Sequence, residues 1–146
     1  MLDKSKIGHV FRSFTVDIEK GRLRFFAKAI GETNPIYTDE STAQAAGFPT
    51  IPAPPTFMFC IDCDGPELLP IVELLNLDIG KVLHGSQAFE YHGQIYAGDS
   101  ITQQSKIVDI YDKKGGALEF VALENTYTNQ NGELVGKAQQ TLVYSN

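Results

Sequence analysis

Gly31-Glu32-Thr33-Asn34-Pro35-Ile36-Tyr37 stands between a segment of helical periodicity and a long, proline-rich loop. Upstream of it, Ile18, Phe25, Phe26, Ala29 and Ile30 recur at helical spacing and make one apolar face, with Arg22, Arg24 and Lys28 on the other side. Asp17 is the expected N-cap, because its carboxylate can accept from the free N–H groups of a first helical turn. Gly31 follows the last periodic residue, where a left-handed C-terminal cap costs glycine least. The helix therefore delivers the chain directly into Glu32. Within the turn, Asn34 is expected to bond backbone two residues on, and Pro35 to fix the turn that aims its neighbours.

Outward from this stretch, Phe11 to Val16 alternates as a short strand ahead of the helix. Thr33 to Pro55 is irregular, with a short helical turn expected at Glu40 to Ala46. Ile51-Pro52-Ala53-Pro54-Pro55 cannot supply a regular N–H ladder and reads as a shaped loop. Thr56 to Ile61 opens an apolar segment, expected to be a core helix running toward Leu75, with Gly65-Pro66 and Pro70 as points of break or kink. Val82–Tyr91, Ser100–Tyr111, Leu118–Thr128 and Glu133–Tyr144 have strand length and composition. Ala97-Gly98-Asp99 separates the first two. Lys113-Lys114-Gly115-Gly116 and Asn129-Gln130-Asn131-Gly132 are hairpin signals, since Gly-Gly and Asn-Gly tolerate positive φ. The predicted class is α+β: a curved antiparallel sheet wrapped around a central apolar helix.

At 146 residues, residues 1–146 are expected to form one domain with a real core. A formal charge of −6 with no basic stripe argues against a nucleic-acid partner. No apolar run approaches the ~20 residues of a spanning helix. No apolar stretch follows the first residues as a signal peptide would require, so no membrane association and a cytoplasmic location are expected. Cys60 and Cys63 form a Cys-x-x-Cys pair. A structural zinc site would need two further ligands, for which His84 and His92 are the nearby candidates. A thioredoxin-like site would need a preceding strand, whereas Phe57-Met58-Phe59 comes first. The pair reads as buried or half-buried thiols on a helix, and neither a metal nor a cofactor is expected.

The Gly-Glu-Thr-Asn-Pro-Ile-Tyr run, preceded by a helix ending Phe-Phe-Ala-Lys-Ala-Ile, resembles the hydratase-2 motif of MaoC-like hot-dog proteins, roughly Gly-Asp-x-Asn-Pro-(aliphatic)-His. Ala46-Gly47-Phe48, the loop Ile51 to Phe57, and Leu83 to His92 followed by Ala97-Gly98-Asp99 continue the likeness over residues 7 to 144. The resemblance is nearest to an N-terminal dehydratase-like subgroup that includes the helper subunit of mycobacterial heterodimeric dehydratases. It implies a hot-dog fold, with an antiparallel sheet curled around a long central helix. It also implies pairing with a second copy or a related hot-dog chain, and a substrate that is an acyl thioester of CoA or acyl carrier protein. In catalytic members the Asp and His of the motif hold a water and move protons, while an N–H at the start of the central helix holds the thioester oxygen.

Carried onto this chain, the Asp position is Glu32 and the His position is Tyr37. Glu32 can still act as base. Tyr37 can donate a hydrogen bond, but with a phenolic pKa near 10 it is a poor proton shuttle. Pro54-Pro55 stands where the family often has Pro-Gly. Pro55 has no N–H, so Thr56 is the expected oxyanion donor. Glu32, Tyr37 and Thr56 are thus the candidate catalytic residues, and Asn34, Pro55, Phe57 and His84 the candidate substrate-binding ones. His84 and His92 could supply the missing acid–base function. Eight residues apart on a regular strand they share a face, with ~26 Å between α-carbons. The expected function is a hydratase or dehydratase of trans-2-enoyl or 3-hydroxyacyl thioesters in fatty-acid metabolism. The alternative is a non-catalytic acyl-binding subunit of a heterodimeric dehydratase. A thioesterase using Asp62, Asp64 or Glu67 is the third reading.

Overall fold

The structure is a computed structural model that describes residues 1–67 and 69–146. Five strands, β1 (Phe14–Asp17), β2 (Val82–Tyr91), β3 (Ser100–Lys113), β4 (Leu118–Thr128) and β5 (Leu134–Ser145), form one antiparallel sheet in the order β1-β3-β4-β5-β2. The meander β3-β4-β5 follows from the two hairpin signals, whose turns hold Lys114, Gly115, Gly116 and Gly132 at positive φ. In β4 the period of two is complete. Glu119, Val121, Leu123, Asn125 and Tyr127 are buried, and the residues between them are half-buried.

Helices α1 (Lys20–Ala29), α2 (Glu40–Ala45), α3 (Phe57–Asp62) and α4 (Pro70–Leu74) lie in the other half of the chain. Phe57, Met58 and Ile61 of α3 join Leu23 of α1 with Ile101, Tyr127, Val135 and Ala138 of the sheet in the main core. Burying each large side chain there contributes roughly 1.5–3 kcal/mol. A second cluster joins Phe11 and Ile71 to Ile107, Val121 and Leu142. The architecture is the expected one, an apolar helix against an antiparallel sheet.

Several local expectations are corrected. The helix against the sheet is six residues long, Phe57–Asp62, instead of running toward Leu75. Turn and bend residues from Cys63 to Glu67 end it, Gly65 lies against the Phe14 ring, and α4 restarts with Pro70 at its first position. Leu68, which follows that stretch, lies outside the described residues. Asp17 does not cap α1. It ends β1 opposite Ser100, whose hydroxyl donates to its carboxylate at 2.7 Å, and Glu19 occupies the N-cap position. The buried stripe of α1 is Leu23 and Ala27 with Phe26 beside them, while Phe25 is 73% exposed and Ala29 and Ile30 are also exposed. Leu23 and Ala27 are four apart and stack on one face, and Phe26 meets Phe57 edge-on with ring centroids 5.3 Å apart.

The strand expected from Phe11 is laddered only from Phe14. Before it the chain runs beside β3 through a Val10–Lys106 bridge and a 2.9 Å bond from Phe11 N–H to Ser105 O. Ile51 to Pro54 is buried, and it is tied to the segment before β3 by bonds from Ala53 N–H to Ile95 O (2.8 Å) and from Ala97 N–H to Ile51 O (3.0 Å). β2 pairs with β5 on one side, and among the described strands nothing pairs with its other edge. A bulge interrupts it between His84 and Ser86. Gly85 sits there because a Cβ would lie 2.7 Å from a Val143 methyl and 3.1 Å from Thr141 O.

Candidate functional site

Gly31 takes φ +71°, and Glu32 N–H donates back to Ala27 O at 2.9 Å, so α1 ends in the left-handed turn its sequence requires. The Glu32 carboxylate then folds onto the turn that follows. Its Oε1 accepts from Thr33 N–H at 3.0 Å and from Asn34 N–H at 2.9 Å. Oε2 has no hydrogen-bond partner among the described residues, and the side chain is half-buried. Asn34 Oδ1 accepts from Ile36 N–H at 3.2 Å and caps the single helical turn Pro35–Tyr37, the local bond expected for an Asn-Pro pair. Tyr37 is half-buried, and its hydroxyl bonds to none of the described residues.

The turn is fastened on both sides. Arg24 Nε donates to Thr38 O at 2.8 Å, and Lys20 pairs with Glu40 at 2.8 Å, which ties α1 to α2. Asp39 caps α2 by accepting from Thr42 N–H, and it also takes bonds from the Ser41 and Thr42 hydroxyls, which hold its carboxyl below the usual range.

Thr56 holds the N-cap position of α3 and is exposed. Its side chain makes no cap bond, and its N–H has no acceptor among the described residues. Pro55 is also exposed and lines a recess of about 130 Å³ with Met58, Tyr91 and Gln94. The Phe57 side chain packs the core beneath, between the Phe26 ring and the Arg22 guanidinium, 5.6 Å from its centroid. His84 is exposed, bonds Gln87 Oε1 at 3.0 Å and stacks on Phe59 of α3 at 5.4 Å. His92 lies past the end of β2 and pairs with Glu90 at 2.7 Å. With the bulge at Gly85 between them, the two histidines are not on one regular strand. No hydrogen bond or ion pair among the described residues joins Glu32 or Tyr37 to Thr56, His84 or His92.

A second polar centre lies at the other end of α3. Asp62 Oδ1 accepts from Gln103 Nε2 (2.9 Å) and from the Tyr127 hydroxyl (2.8 Å), which also reaches Oδ2 at 2.9 Å. Gln103 Nε2 bonds Ser105 Oγ at 2.9 Å as well. Burial pushes the Asp62 carboxyl above the usual range, against the pull of the bonds from Gln103 and Tyr127. Burial, with Asp62 beside it, raises the Tyr127 phenol further, so it stays protonated and acts as a fixed donor. Asp62, Gln103, Ser105 and Asn125 border a cavity of about 190 Å³ under the α3–α4 connection, walled by Phe14, Phe59 and Leu123 among others. Gln103, Asn125 and Tyr127 went unremarked in the sequence, although the alternation of β4 already places Asn125 inward with Val121, Leu123 and Tyr127.

Asp64 pairs with Arg22. Cys60 is half-buried and Cys63 exposed, and burial pushes both thiols up, which disfavours the thiolate that metal or redox chemistry needs. Among the described residues no three His, Cys, Asp or Glu side chains gather as a metal site, and no helix is long and apolar enough to cross a membrane.

A model of the FAS1-like dehydratase domain region matches residues 5–138. A UPF0336 protein of Saccharopolyspora erythraea is 33% identical over 143 residues, covering 97% of this chain and 90% of that protein. A UPF0336 protein of Parafrankia sp. is 37% identical over 139 residues, covering 92% and 90%. Among solved structures, a chain of the HadBC (3R)-hydroxyacyl-ACP dehydratase complex of Mycobacterium tuberculosis superposes with a TM-score of 0.79 at 24% identity, covering 94% of this chain and 96% of that one. The R-hydratase PhaJ1 of Pseudomonas aeruginosa superposes with a TM-score of 0.70 at 17% identity, covering 96% and 82%. At these identities the structural likeness is one of fold, the hot-dog fold of MaoC-like hydratases and dehydratases.

Proposed function

The chain belongs to the family of FAS1-like dehydratase domain regions, and on that footing we propose that it takes part in hydrating trans-2-enoyl thioesters or dehydrating 3-hydroxyacyl thioesters of CoA or acyl carrier protein. In the hydration direction water adds across the α,β double bond. Its oxygen bonds C3, one proton leaves to a base, and C2 gains a proton as the thioester enolate collapses. The Thr56 N–H is the candidate donor to the thioester oxygen, where the negative charge develops. Pro55 and the recess beside it would receive the thioester end.

Within that reaction we assign this chain the role of acyl-binding subunit beside a related hot-dog chain that contributes the acid–base pair. One observation carries the assignment: Glu32 bonds the amides of its own turn, and among the described residues no imidazole hydrogen-bonds to it or to Tyr37. Among the described residues a proton taken by Glu32 has no hydrogen-bonded side chain to pass to, and the Tyr37 hydroxyl makes no bond that would relay one. The unpaired edge of β2, with Leu83 66% exposed and Tyr91 also exposed, offers the surface a second sheet would cover. The expected result is that the purified chain alone does not consume crotonyl-CoA, followed by loss of enoyl absorbance, and that a complex with a hot-dog chain bearing the intact Asp and His does.

A second reading, catalysis by this chain alone, is favoured by the unpartnered Glu32 Oε2 and the unpartnered Thr56 N–H. Under it Glu32→Gln lowers turnover by about 10²–10⁴, the range for loss of a general base. The thioesterase reading loses ground, because Asp62 accepts from Tyr127 and Gln103 and Asp64 pairs with Arg22.

A further inference from the structure

The cavity under the α3–α4 connection contains a polar pair that the reaction above leaves unused. Asn125 on β4 is 2% exposed and lines the cavity, and its Oδ1 has no hydrogen-bond partner among the described residues. Leaving such an acceptor unpaired costs about 1–3 kcal/mol, so it is a place where a donor is favoured. Ser105 on β3 stands directly opposite Asn125 in the ladder and lines the same cavity. Directly opposed residues on one face hold their Cβ atoms about 4.5–5.5 Å apart, close enough for one small group to touch both. Ser105 Oγ accepts from Gln103 Nε2, and no described acceptor takes the Ser105 hydroxyl hydrogen. The pair therefore offers one free acceptor and one free donor, side by side in an apolar pocket.

We propose that this cavity binds a hydroxyl group carried on an aliphatic segment, the hydroxyl donating to Asn125 Oδ1 and accepting from Ser105 Oγ–H. An aliphatic alcohol matches both free valences with one oxygen. An ether or ketone oxygen matches only Ser105. A carboxylate would face Asn125 Oδ1 and the Asp62 carboxylate with no proton to give either. Size bounds the ligand. An apolar cavity of about 150 Å³ accepts benzene, so the 190 Å³ here takes a segment of about six to eight heavy atoms. Asp62, which lines the cavity, lies about 9 Å along α3 from Thr56 at 1.5 Å per residue. Resting on the acyl-thioester reading, this narrows the substrate class to chains that carry a hydroxyl remote from the thioester.

The test uses free ligands and no thioester, so its outcome is separate from that of the crotonyl-CoA assay. The full chain is titrated with 1-hexanol and with its isomer methyl pentyl ether, following the backbone amide resonances of Leu123 and Asn125 by NMR. The alcohol is expected to bind about tenfold or more tightly than the ether. Asn125→Leu is expected to remove that preference while the ether still binds. Ser105→Ala is expected to weaken both ligands and keep the preference. Equal affinity of alcohol and ether for the wild-type protein, or binding of neither, overturns the proposal without reliance on any variant's folding.

Discussion

Glu32 and Asp62 are held in opposite ways. Glu32 sits at a helix end near the surface and accepts from two amides of its own turn, at sequence separations of one and two. Asp62 sits at the end of α3 against the sheet and accepts from Gln103 and Tyr127, 41 and 65 residues away. The first arrangement is made of bonds between near neighbours in sequence, seated on the end of α1 by the bond from Glu32 N–H to Ala27 O. The second exists only when β3, β4 and α3 are packed together. The difference separates a site part held by local bonds from one that only long-range packing assembles.

The contrast can be broken hardest at Tyr127. Tyr127→Phe leaves the ring in the core but removes the hydroxyl that both Asp62 oxygens use. It is expected to cost roughly 1.5–3 kcal/mol, the range for bonds to charged groups, read as a lower urea midpoint at unchanged m-value. On the other side, Gly31→Ala places a β-carbon at φ +71° and is expected to cost about 1–2 kcal/mol in the same assay. Glu32→Gln keeps an acceptor oxygen for Thr33 and Asn34, so stability is expected to stay within about 0.5 kcal/mol of wild type.

The smallest signal is a pH slope. The folded Asp62 carboxyl lies above its unfolded value, so the stability tied to its proton is fully present below the unfolded pKa, about 3.9, and is lost as pH rises through the folded pKa. Urea midpoints of wild type are therefore expected to fall relative to those of Asp62→Asn across that rise. A constant difference between the two proteins would mean the carboxyl is not shifted.

The same contrast explains how much of the molecule could be read in advance. The meander was legible because β4 and its hairpin glycines obey local rules, and the Asn34 cap because its bond spans two residues. Asp17 was misread because its Ser100 partner lies 83 positions away and outcompetes a local cap. The helix face was misjudged at Phe25 and Ile30 because composition cannot say which of two apolar stripes meets the sheet. Where α3 ends was foreshadowed by Gly65-Pro66, but the cavity left by that break depends on Phe14 and Leu123 from distant strands. Asn125 was hidden for a further reason, since an inward polar residue in an alternating strand shows its worth only when its partners are known.

Crotonyl-CoA hydration tests the central claim most directly, measured for the purified chain alone and for its complex with a hot-dog partner carrying the intact Asp and His, each with Glu32 and with Glu32→Gln. No turnover is expected from the chain alone, and the complex is expected to turn over at a rate that Glu32→Gln leaves in place. Turnover by the chain alone that Glu32→Gln abolishes would contradict that claim.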